Sequence, residues 1–261
     1  VYLENLGMEG TIHLAGYNGG GIIGNNQKSV ANLRVKNCYV AGDVTADGGY
    51  SGALTGWAGG KAIFENCWVI GQITGTDNDG AYFVRGMESG TITNCYSKIG
   101  TQAITITDEQ VANGELCYFL NDNIENMVWY QTLGKDAHPV LDASHAVVYT
   151  TAEKSCDGNV IGEGEYTNDE SLASVIPEHT FENGVCTVCG DAQEGFIEID
   201  ADGFYNISDS KQLVWFAAAV NNGEYGLNAR LTADIDMTEF TGDQYMLNEY
   251  TGTFDGQEHS L

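Results

Sequence analysis

The chain has 261 residues and 43% hydrophobic content, which is enough apolar material to bury one or two cores. Ten basic residues stand against 37 acidic ones, and the formal net charge of −27 disfavours partners with phosphate backbones or anionic lipid surfaces. Thirty-four glycines with only two prolines point away from disorder, and the longest apolar runs, such as residues 213–220, are too short to cross a bilayer.

The chain opens at Val1 rather than at Met, and no signal peptide is visible. We therefore expect a processed or excised piece of a longer protein. The negative charge is explained most simply as a means of staying soluble in a salty exterior. These features predict an extracellular or cell-surface location, with no nucleic-acid partner and no membrane insertion of this segment.

Asparagine recurs at a nearly constant spacing in the first hundred residues. Asn5, Asn37, Asn66 and Asn94 are separated by 32, 29 and 28 positions, and the last three open the segments NCYV, NCWV and NCYS. A glycine follows five positions after each of the first three asparagines, and Ile or Val follows two positions later. Agreement of several registers at one period predicts a repeat architecture.

Each repeat has the pattern of short strands. Residues 30–44, VANLRVKNCYVAGDV, alternate apolar and polar positions and are rich in β-branched and aromatic residues. A period near 28 residues fits one turn of a parallel β-helix, with about three short strands per turn. Stacked turns would place Asn in an amide ladder and would make Cys38, Cys67 and Cys95 inward-facing apolar fillers.

Short apolar runs closed by glycine complete each repeat. They are GIIG ending at Gly24, GALTG ending at Gly56 and AYFVRG ending at Gly86. These registers resemble the GLUG-motif repeats of bacterial surface proteins, which occur in adhesins and in some secreted immunoglobulin-A proteases. The resemblance covers residues 1–100, and the third copy departs from the signature. It implies a right-handed parallel β-helix that contacts a host or bacterial surface protein or a glycan.

A helical pattern begins where the period fails, after Tyr96. Thr107 and Gln110 form a candidate capping box, although Gly114 weakens the helix. We expect this helix to cap the open end of the repeats, which would otherwise expose unpaired strand edges. The apolar face of the helix is predicted to contain Ala112, Leu116, Phe119 and Leu120.

The next segment, WYQTLGKDAHPVLD at residues 129–142, supports two interpretations. Its aromatic side chains and His138 could form a platform for sugar rings. They could equally supply the large apolar area that a cap needs, and we favour this structural interpretation.

The pattern disappears between Thr151 and Glu194, where acids are frequent and Lys154 is the only Lys or Arg. This composition predicts a connector without a large core. Residues 178–190, EHTFENGVCTVCG, resemble the short Cys/His zinc-ribbon-like inserts found between domains of secreted bacterial proteins. A C-x-x-C knuckle suits tetrahedral zinc, and the candidate ligands are Cys156, His179, Cys186 and Cys189.

Three states of these cysteines agree with the sequence: a structural zinc site, a disulfide, or free thiols. A full ribbon normally has a second C-x-x-C, whereas here only Cys156 is added. No βαβ pattern surrounds the motif, which disfavours a thioredoxin-type redox centre. Zinc held by four protein ligands would leave no position for a catalytic water.

The C-terminal third begins with the clearest helix pattern of the chain, at residues 206–223. Ser208 is its predicted N-cap, and Gly223 ends it. A strand-like segment at residues 229–237 and a second at residues 250–261 predict the entry cap and first turn of another β-helix module. The buried stripe of the helix is predicted to be Leu213, Phe216, Ala217 and Val220.

Two acidic patterns resemble functional sites. Asp234 and Asp236 would share one face of a strand, as paired carboxylates do in some β-helix enzymes that act on pectin, but we favour a role in capping turns. The second pattern is EF-hand-like and comprises Glu198, Asp200, Asp202, Gly203 and Asp209. It departs from the EF-hand consensus at its first and last positions, so calcium binding is disfavoured. We identify no catalytic residues.

The sequence therefore predicts a mainly β protein in three segments. Residues 1–148 are the last turns and cap of a parallel β-helix, 149–194 an acidic Cys/His connector, and 195–261 the start of a second β-helix module. The predicted function is a non-catalytic structural or adhesive segment of a secreted bacterial surface protein. The alternatives are part of a β-helix carbohydrate-active enzyme, a polysaccharide lyase or hydrolase, or the repeat region of a surface protease.

Overall fold

The structure, a computed structural model, describes residues 1–16, 19–26, 32–47, 51–74, 83–98, 102–121, 127–240 and 247–261. Within these residues the chain is mainly β and has few helices. It divides into two compact units: the first unit is Val1–Thr151 with Gly164–Ser174, and the second unit is Ala152–Glu163 with Val175–Leu261. No helix in the described part of the chain combines the length and the apolar character needed to span a membrane.

The first unit consists mostly of short strands. They are β1 (Tyr2–Met8), β2 (Ile12–Leu14), β3 (Ile23–Asn26), β4 (Leu33–Val40), β5 (Val44–Ala46), β6 (Thr55–Glu65), β7 (Trp68–Val69), β8 (Ile73–Thr74), β9 (Val84–Thr93), β10 (Tyr96–Ser97), β11 (Ile104–Thr105), β12 (Tyr149–Thr150) and β13 (Tyr166–Thr167). The helices are α1 (Asp108–Ala112), α2 (Glu115–Asn121) and a 3-10 turn at Glu170–Leu172. The segment TDNDG at residues 76–80, whose sequence predicts a turn between strands, lies outside the described residues.

Strands of consecutive repeats pair in parallel and in register. β4 pairs with β1, β6 and β7, and β6 pairs further with β3 and β9. Tyr2 lies opposite Arg34 and Leu33 opposite Ala62, so the pairing offset equals the spacing of the repeats. β2, β5 and β8 form a separate parallel sheet with the same offset. The predicted repeat register is confirmed.

The sheets of the described residues do not close into a solenoid. Eight strands form one sheet, while β2, β5 and β8 form another. The prediction of a mainly β fold is confirmed.

The predicted asparagine ladder is present. Each of Asn5, Asn37, Asn66 and Asn94 has a left-handed backbone, with φ of 56°, 50°, 54° and 46°. Asparagine is one of the few residues other than glycine that adopts this conformation readily. The side-chain Nδ2 of each of the last three donates to the Oδ1 of the asparagine in the preceding repeat, over 2.9, 2.8 and 2.8 Å. The last asparagine also donates to the carbonyl oxygen of Phe119 in α2.

The three repeat cysteines form a buried column beside this ladder. Cys38, Cys67 and Cys95 are 0%, 0% and 1% exposed and belong to one apolar cluster. The backbone N–H of Cys38 donates to the sulfur of Cys67 at 3.4 Å, and that of Cys67 to the sulfur of Cys95 at the same distance. The prediction that these thiols fill space inside the repeats is confirmed.

The repeat glycines allow β2, β5 and β8 to approach closely. A Cβ atom on Gly42 would lie 1.5 Å from the carbonyl oxygen of Gly10, and one on Gly71 would lie 1.8 Å from that of Gly42. Both contacts are to backbone, which cannot move aside without separating the strands. Glycine at these positions is therefore a packing requirement.

The predicted single capping helix is two helices. Gly114, with φ of 95°, separates α1 from α2, because a left-handed residue cannot continue a right-handed helix. The predicted capping box of Thr107 and Gln110 is present. Ala112 is exposed, contrary to the prediction, and the buried residues are Val111, Leu116, Cys117, Tyr118 and Leu120.

The WYQ segment contributes to the core of the first unit. Trp129 and Gln131 are fully buried, and the Trp129 ring lies 6.0 Å from Trp68. Tyr39 stacks on Trp68 with ring centroids 4.6 Å apart. Trp129 is therefore part of the core and is not available to a sugar, which supports the structural interpretation of the segment.

The second unit contains β14 (Phe181–Glu182), β15 (Val185–Cys186), β16 (Phe204–Ile207), α3 (Ser210–Asn221), β17 (Asn228–Leu231) and β18 (Phe254–Asp255). β16, β17 and β18 pair in parallel, and the predicted stripe of α3 is buried against them. The N-cap prediction was wrong by one residue. Asp209, rather than Ser208, accepts the backbone N–H of Gln212; the Ser208 hydroxyl bonds the Gln212 side chain instead.

The strand predicted at residues 229–237 ends at Leu231, so Asp234 and Asp236 do not share a strand face. Asp234 accepts the backbone N–H of Ser260 at 2.8 Å, and Asp236 accepts that of Thr238 at 2.9 Å. The Asp236 bond closes a local turn, whereas the Asp234 bond joins two segments 26 positions apart. Both carboxylates bond backbone amides, as the favoured interpretation predicted.

Candidate metal centre

A tight hairpin in the second unit positions two of the predicted ligands. β14 and β15 pair antiparallel through a two-residue turn at Asn183 and Gly184, whose φ angles are 52° and 78°. Asn-Gly with two positive φ angles is the usual sequence for such a turn. The turn brings His179, which precedes β14, alongside Cys186 at the end of β15.

The C-x-x-C segment folds as a knuckle directly after this hairpin. The carbonyl of Cys186 accepts the backbone N–H of Gly190 at 3.0 Å, and its own N–H donates to the carbonyl of Asp191 at 2.8 Å. Gly190 has φ of 83°, which lets the chain reverse. This reversal places the sulfur of Cys189 beside that of Cys186.

A separate turn supplies the fourth residue. Ser155 N–H donates to the carbonyl of Asn159 at 2.8 Å, and the Asp157 side chain accepts the N–H of Asn159 at 3.0 Å. Gly158, with φ of 86°, completes the reversal. Cys156 sits in this turn and is 7% exposed.

The four side chains converge on one point. One ligand atom from each of Cys156, His179, Cys186 and Cys189 lies within 4.8 Å of all the others. The sulfurs of Cys156 and Cys186 are 3.6 Å apart, and the Cys189 sulfur is 3.3 Å from His179 Nδ1. Zinc–sulfur bonds of about 2.3 Å in a tetrahedron give ligand separations of about 3.8 Å. The cluster therefore has the size of a four-ligand metal site.

None of the seven cysteines, all of which lie within the described residues, forms a disulfide. A disulfide joins its two sulfurs at about 2.05 Å, far closer than the separation within this cluster. Three thiols and an imidazole are soft and borderline ligands, which suit zinc and related transition metals better than calcium or magnesium. The cluster could bind a metal such as zinc.

The backbone of the knuckle favours a thiolate at one position. N–H groups of Cys189 and Val188 point at the Cys186 sulfur and lower the pKa of that thiol to about 5. Desolvation, together with hydrogen bonds to Cys156 and Cys186, raises the pKa of Cys189 to about 12. The contribution of these backbone N–H groups was not predicted from the sequence, although a C-x-x-C knuckle commonly provides it.

The other predicted carboxylates have local partners. Asp200 accepts the backbone N–H groups of Asp202 and Phe204, and it lies 3.6 Å from the guanidinium of Arg230. Asp202 lies 3.4 Å from the same guanidinium. These carboxylates hold a turn and face a protein cation, which is a poor environment for calcium.

Comparison with protein-family models, with curated proteins and with solved structures finds no match for this chain. The resemblance to GLUG repeats and to zinc-ribbon-like inserts therefore stays a prediction from the residues. Function has to be argued from the geometry of the chain's own side chains.

Proposed function

We propose that this chain is a non-catalytic structural segment of a secreted bacterial cell-surface protein. Its first unit would be part of a right-handed parallel β-helix whose surface contacts a surface protein or a glycan. Its second unit would be held by a zinc ion in a Cys3His site. The observation that carries the proposal is the asparagine ladder, because it ties four successive repeats into one stack.

The β-helix proposal is supported by the way each repeat is used. Every full repeat contributes strands to the eight-stranded sheet and one strand to the β2–β5–β8 sheet. In the β2–β5–β8 sheet the strands pair in parallel, and paired residues are one repeat apart in sequence. Identical residue types consequently lie above one another. Such columns are expected when successive turns of one chain stack.

The non-catalytic proposal is supported by the partners of the acidic candidates. Asp234 accepts the backbone N–H of Ser260 and lies 3.5 Å from His259 Nδ1, and Asp236 accepts the backbone N–H of Thr238, so each carboxylate already has protein partners. A hydrolase or lyase needs carboxylates and a base that converge on a substrate groove. The enzymatic alternative receives no support from these residues.

The zinc proposal is supported by the donor set and its compactness. Four protein ligands on two turns and one hairpin would complete a tetrahedron, which is the arrangement of structural rather than catalytic zinc. The four residues lie mostly on loops, so a bound metal would link these loops to one another where little apolar core holds them together. Zinc would also protect the thiols from oxidation outside the cell.

The structural role is tested by incubating the purified chain with uronic-acid polysaccharides and with a panel of surface glycans. We expect binding without cleavage. Cleavage that disappears in Asp234→Asn would overturn the non-catalytic proposal. An experimental structure in which the repeats do not wind around a common axis would overturn the β-helix.

Zinc is tested by elemental analysis of protein purified without chelator. We expect about one zinc per chain, and its loss in His179→Ala. His13→Ala is the matched control, because His13 is an exposed histidine that is paired with Asp47 and is not one of the four clustered side chains. Protein without metal whose Cys186 and Cys189 are joined in a disulfide would refute zinc.

A further inference from the structure

The second unit contains a cavity that the proposed function does not use. Its volume is about 640 Å³, which is within the range of sites for small organic molecules. The walls come from β14, the loop at residues 191–195, β16, α3 and the turn that follows α3. Because these elements are distant in sequence, no local sequence motif predicts the cavity.

Aromatic rings form one part of the wall. Tyr205 and Trp215 have ring centroids 5.3 Å apart and are tilted by 54° to each other. The indole nitrogen of Trp215 donates to the carbonyl of Gln193 at 2.9 Å, which fixes the orientation of the ring. Phe181 also lines the cavity and is 38% exposed. The negative faces of such rings attract cations.

Carboxylates form the other part of the wall. Asp191, Glu194 and Glu224 line the cavity, and none of the described lining residues is Lys or Arg. The Asn222 side chain donates to Asp191 at 3.0 Å and holds it in place. Burial raises the pKa of Tyr205, and the charge of Glu224 raises it further, so the carboxylate acts directly on the aromatic wall.

We propose that this cavity binds an organic ammonium group, either on a small free amine or on a lysine side chain. Aromatic faces stabilise a cation that has shed part of its water, and three carboxylates supply complementary charge. A neutral ligand would gain from the rings alone and would leave the carboxylates without a counter-charge. The site goes beyond the structural role proposed above, although His179 both lines the cavity and belongs to the Cys3His cluster.

The charge of the ligand is tested with probes of matched shape. Choline is compared with 3,3-dimethyl-1-butanol, its neutral isostere, by calorimetric titration of the full chain. Nα-acetyl-lysine methylamide, which keeps its charged side-chain ammonium, is compared with Nα-acetyl-norleucine methylamide, which has no charge. We expect each cation to bind about tenfold or more tightly than its neutral partner. The stronger of the two cations identifies whether the natural source is a free amine or a lysine side chain.

The location is tested with variants that keep side-chain size. Glu224→Gln and Glu194→Gln should each weaken choline binding about threefold to tenfold, and Phe181→Leu should do so without changing charge. Glu239→Gln is the control, because it removes an exposed charge of the same unit that does not line the cavity. Chemical shifts of the Trp215 indole N–H report binding at this place.

Three results would overturn the proposal. The first is equal affinity for a cation and its neutral isostere. The second is an unchanged affinity in both glutamate variants, provided that their spectra show a folded second unit. The third is tighter binding of calcium than of either ammonium probe, because it would identify the carboxylates as a metal site. Each of these results leaves the ladder and the Cys3His cluster unaffected.

Discussion

Asn66 donates its side-chain amide hydrogen to the side-chain oxygen of Asn37 at 2.8 Å, although the two residues are 29 positions apart. Both are nearly buried, at 5% and 3% exposure, and both have left-handed backbone. A buried amide needs its hydrogen bonds, and each asparagine supplies those of its neighbour in the next repeat. The pair therefore fixes both the turn within a repeat and the register between repeats.

Replacing Asn66 with Gly should destabilise the first unit by about 3 kcal/mol. Glycine adopts the left-handed backbone without strain, but two hydrogen bonds would be lost: the buried Oδ1 of Asn37 would lose its donor, and the Nδ2 of Asn94 would keep only its bond to the carbonyl oxygen of Phe119. Asn66→Ala should cost about 1 kcal/mol more, because alanine resists a positive φ. Denaturant unfolding followed by tryptophan fluorescence measures both.

The control for the ladder is Asn5→Gly. Asn5 is exposed at the end of the ladder and accepts one bond, from Asn37. Its replacement should lower the free energy of unfolding by less than half the loss at Asn66. Equal losses at the two positions would show that backbone conformation, and not the amide bonds, is what asparagine contributes.

Gly42→Ala should prevent the first unit from folding or destabilise it by more than about 4 kcal/mol. The added methyl group would occupy the position of the Gly10 carbonyl, and relief requires separation of β2 from β5. Gly16→Ala is the matched control, because a Cβ atom there meets nothing within 4 Å. Circular dichroism and thermal unfolding distinguish them, and a stable Gly42→Ala protein would contradict the close approach of the repeats.

Asp136→Asn should reduce the pH dependence of the stability of the first unit. Burial opposes ionisation of Asp136, but the N–H of Thr132 and the nearby His145 outweigh it and lower the carboxyl pKa. A pKa lower in the folded than in the unfolded protein stabilises the fold above the unfolded value of about 4. That stabilisation is lost as pH falls through the folded value.

The measurement for Asp136 is the difference in thermal midpoint between wild type and Asp136→Asn from pH 7 to pH 2.5. We expect the wild type to be the more stable at pH 7, and the difference to shrink below about pH 4. A difference that stays constant over this range would mean that the carboxylate charge does not contribute.

The predictions that succeeded came from repeated or local signals. The asparagine and glycine columns share one period, so a pairing register was predictable without any knowledge of the fold. The capping box of Thr107 and Gln110 and the buried stripe of α3 depend on residues a few positions apart. The C-x-x-C spacing singled out Cys186 and Cys189, with Cys156 and His179 as partners, and the structure brings these four side chains together; that they bind zinc stays a prediction.

The predictions that failed depended on where a regular element stops. Gly114 adopts positive φ and breaks a helix whose apolar spacing continues across it. Asp234 and Asp236 alternate like strand residues, yet Ser260 and Thr238 offer them backbone donors, and the strand ends before them. The cavity is formed by residues from five separate elements, which no local pattern reveals. The boundaries at 148/149 and 194/195 stay predictions.

If the Cys3His cluster holds zinc and the adjoining cavity binds an ammonium group, as proposed above, removal of the zinc should weaken ammonium binding. The His179 ring stacks on Phe181 with centroids 5.5 Å apart and an angle of 22°, and Phe181 lines the cavity. If zinc holds His179, it also limits the positions open to Phe181, which reduces the entropy lost when a ligand binds. The expected effect is a decrease in choline affinity of about threefold to tenfold after chelation.

The measurement is calorimetric titration of choline into zinc-loaded and chelated protein, with far-ultraviolet circular dichroism to establish that the second unit remains folded. Phe181→Leu is the informative variant, because it removes the stacked ring while the four metal ligands stay in place. Its choline affinity should be low and insensitive to chelation. An equal affinity of wild-type protein with and without zinc would refute the coupling, while the cavity and the metal centre would each stand on its own test.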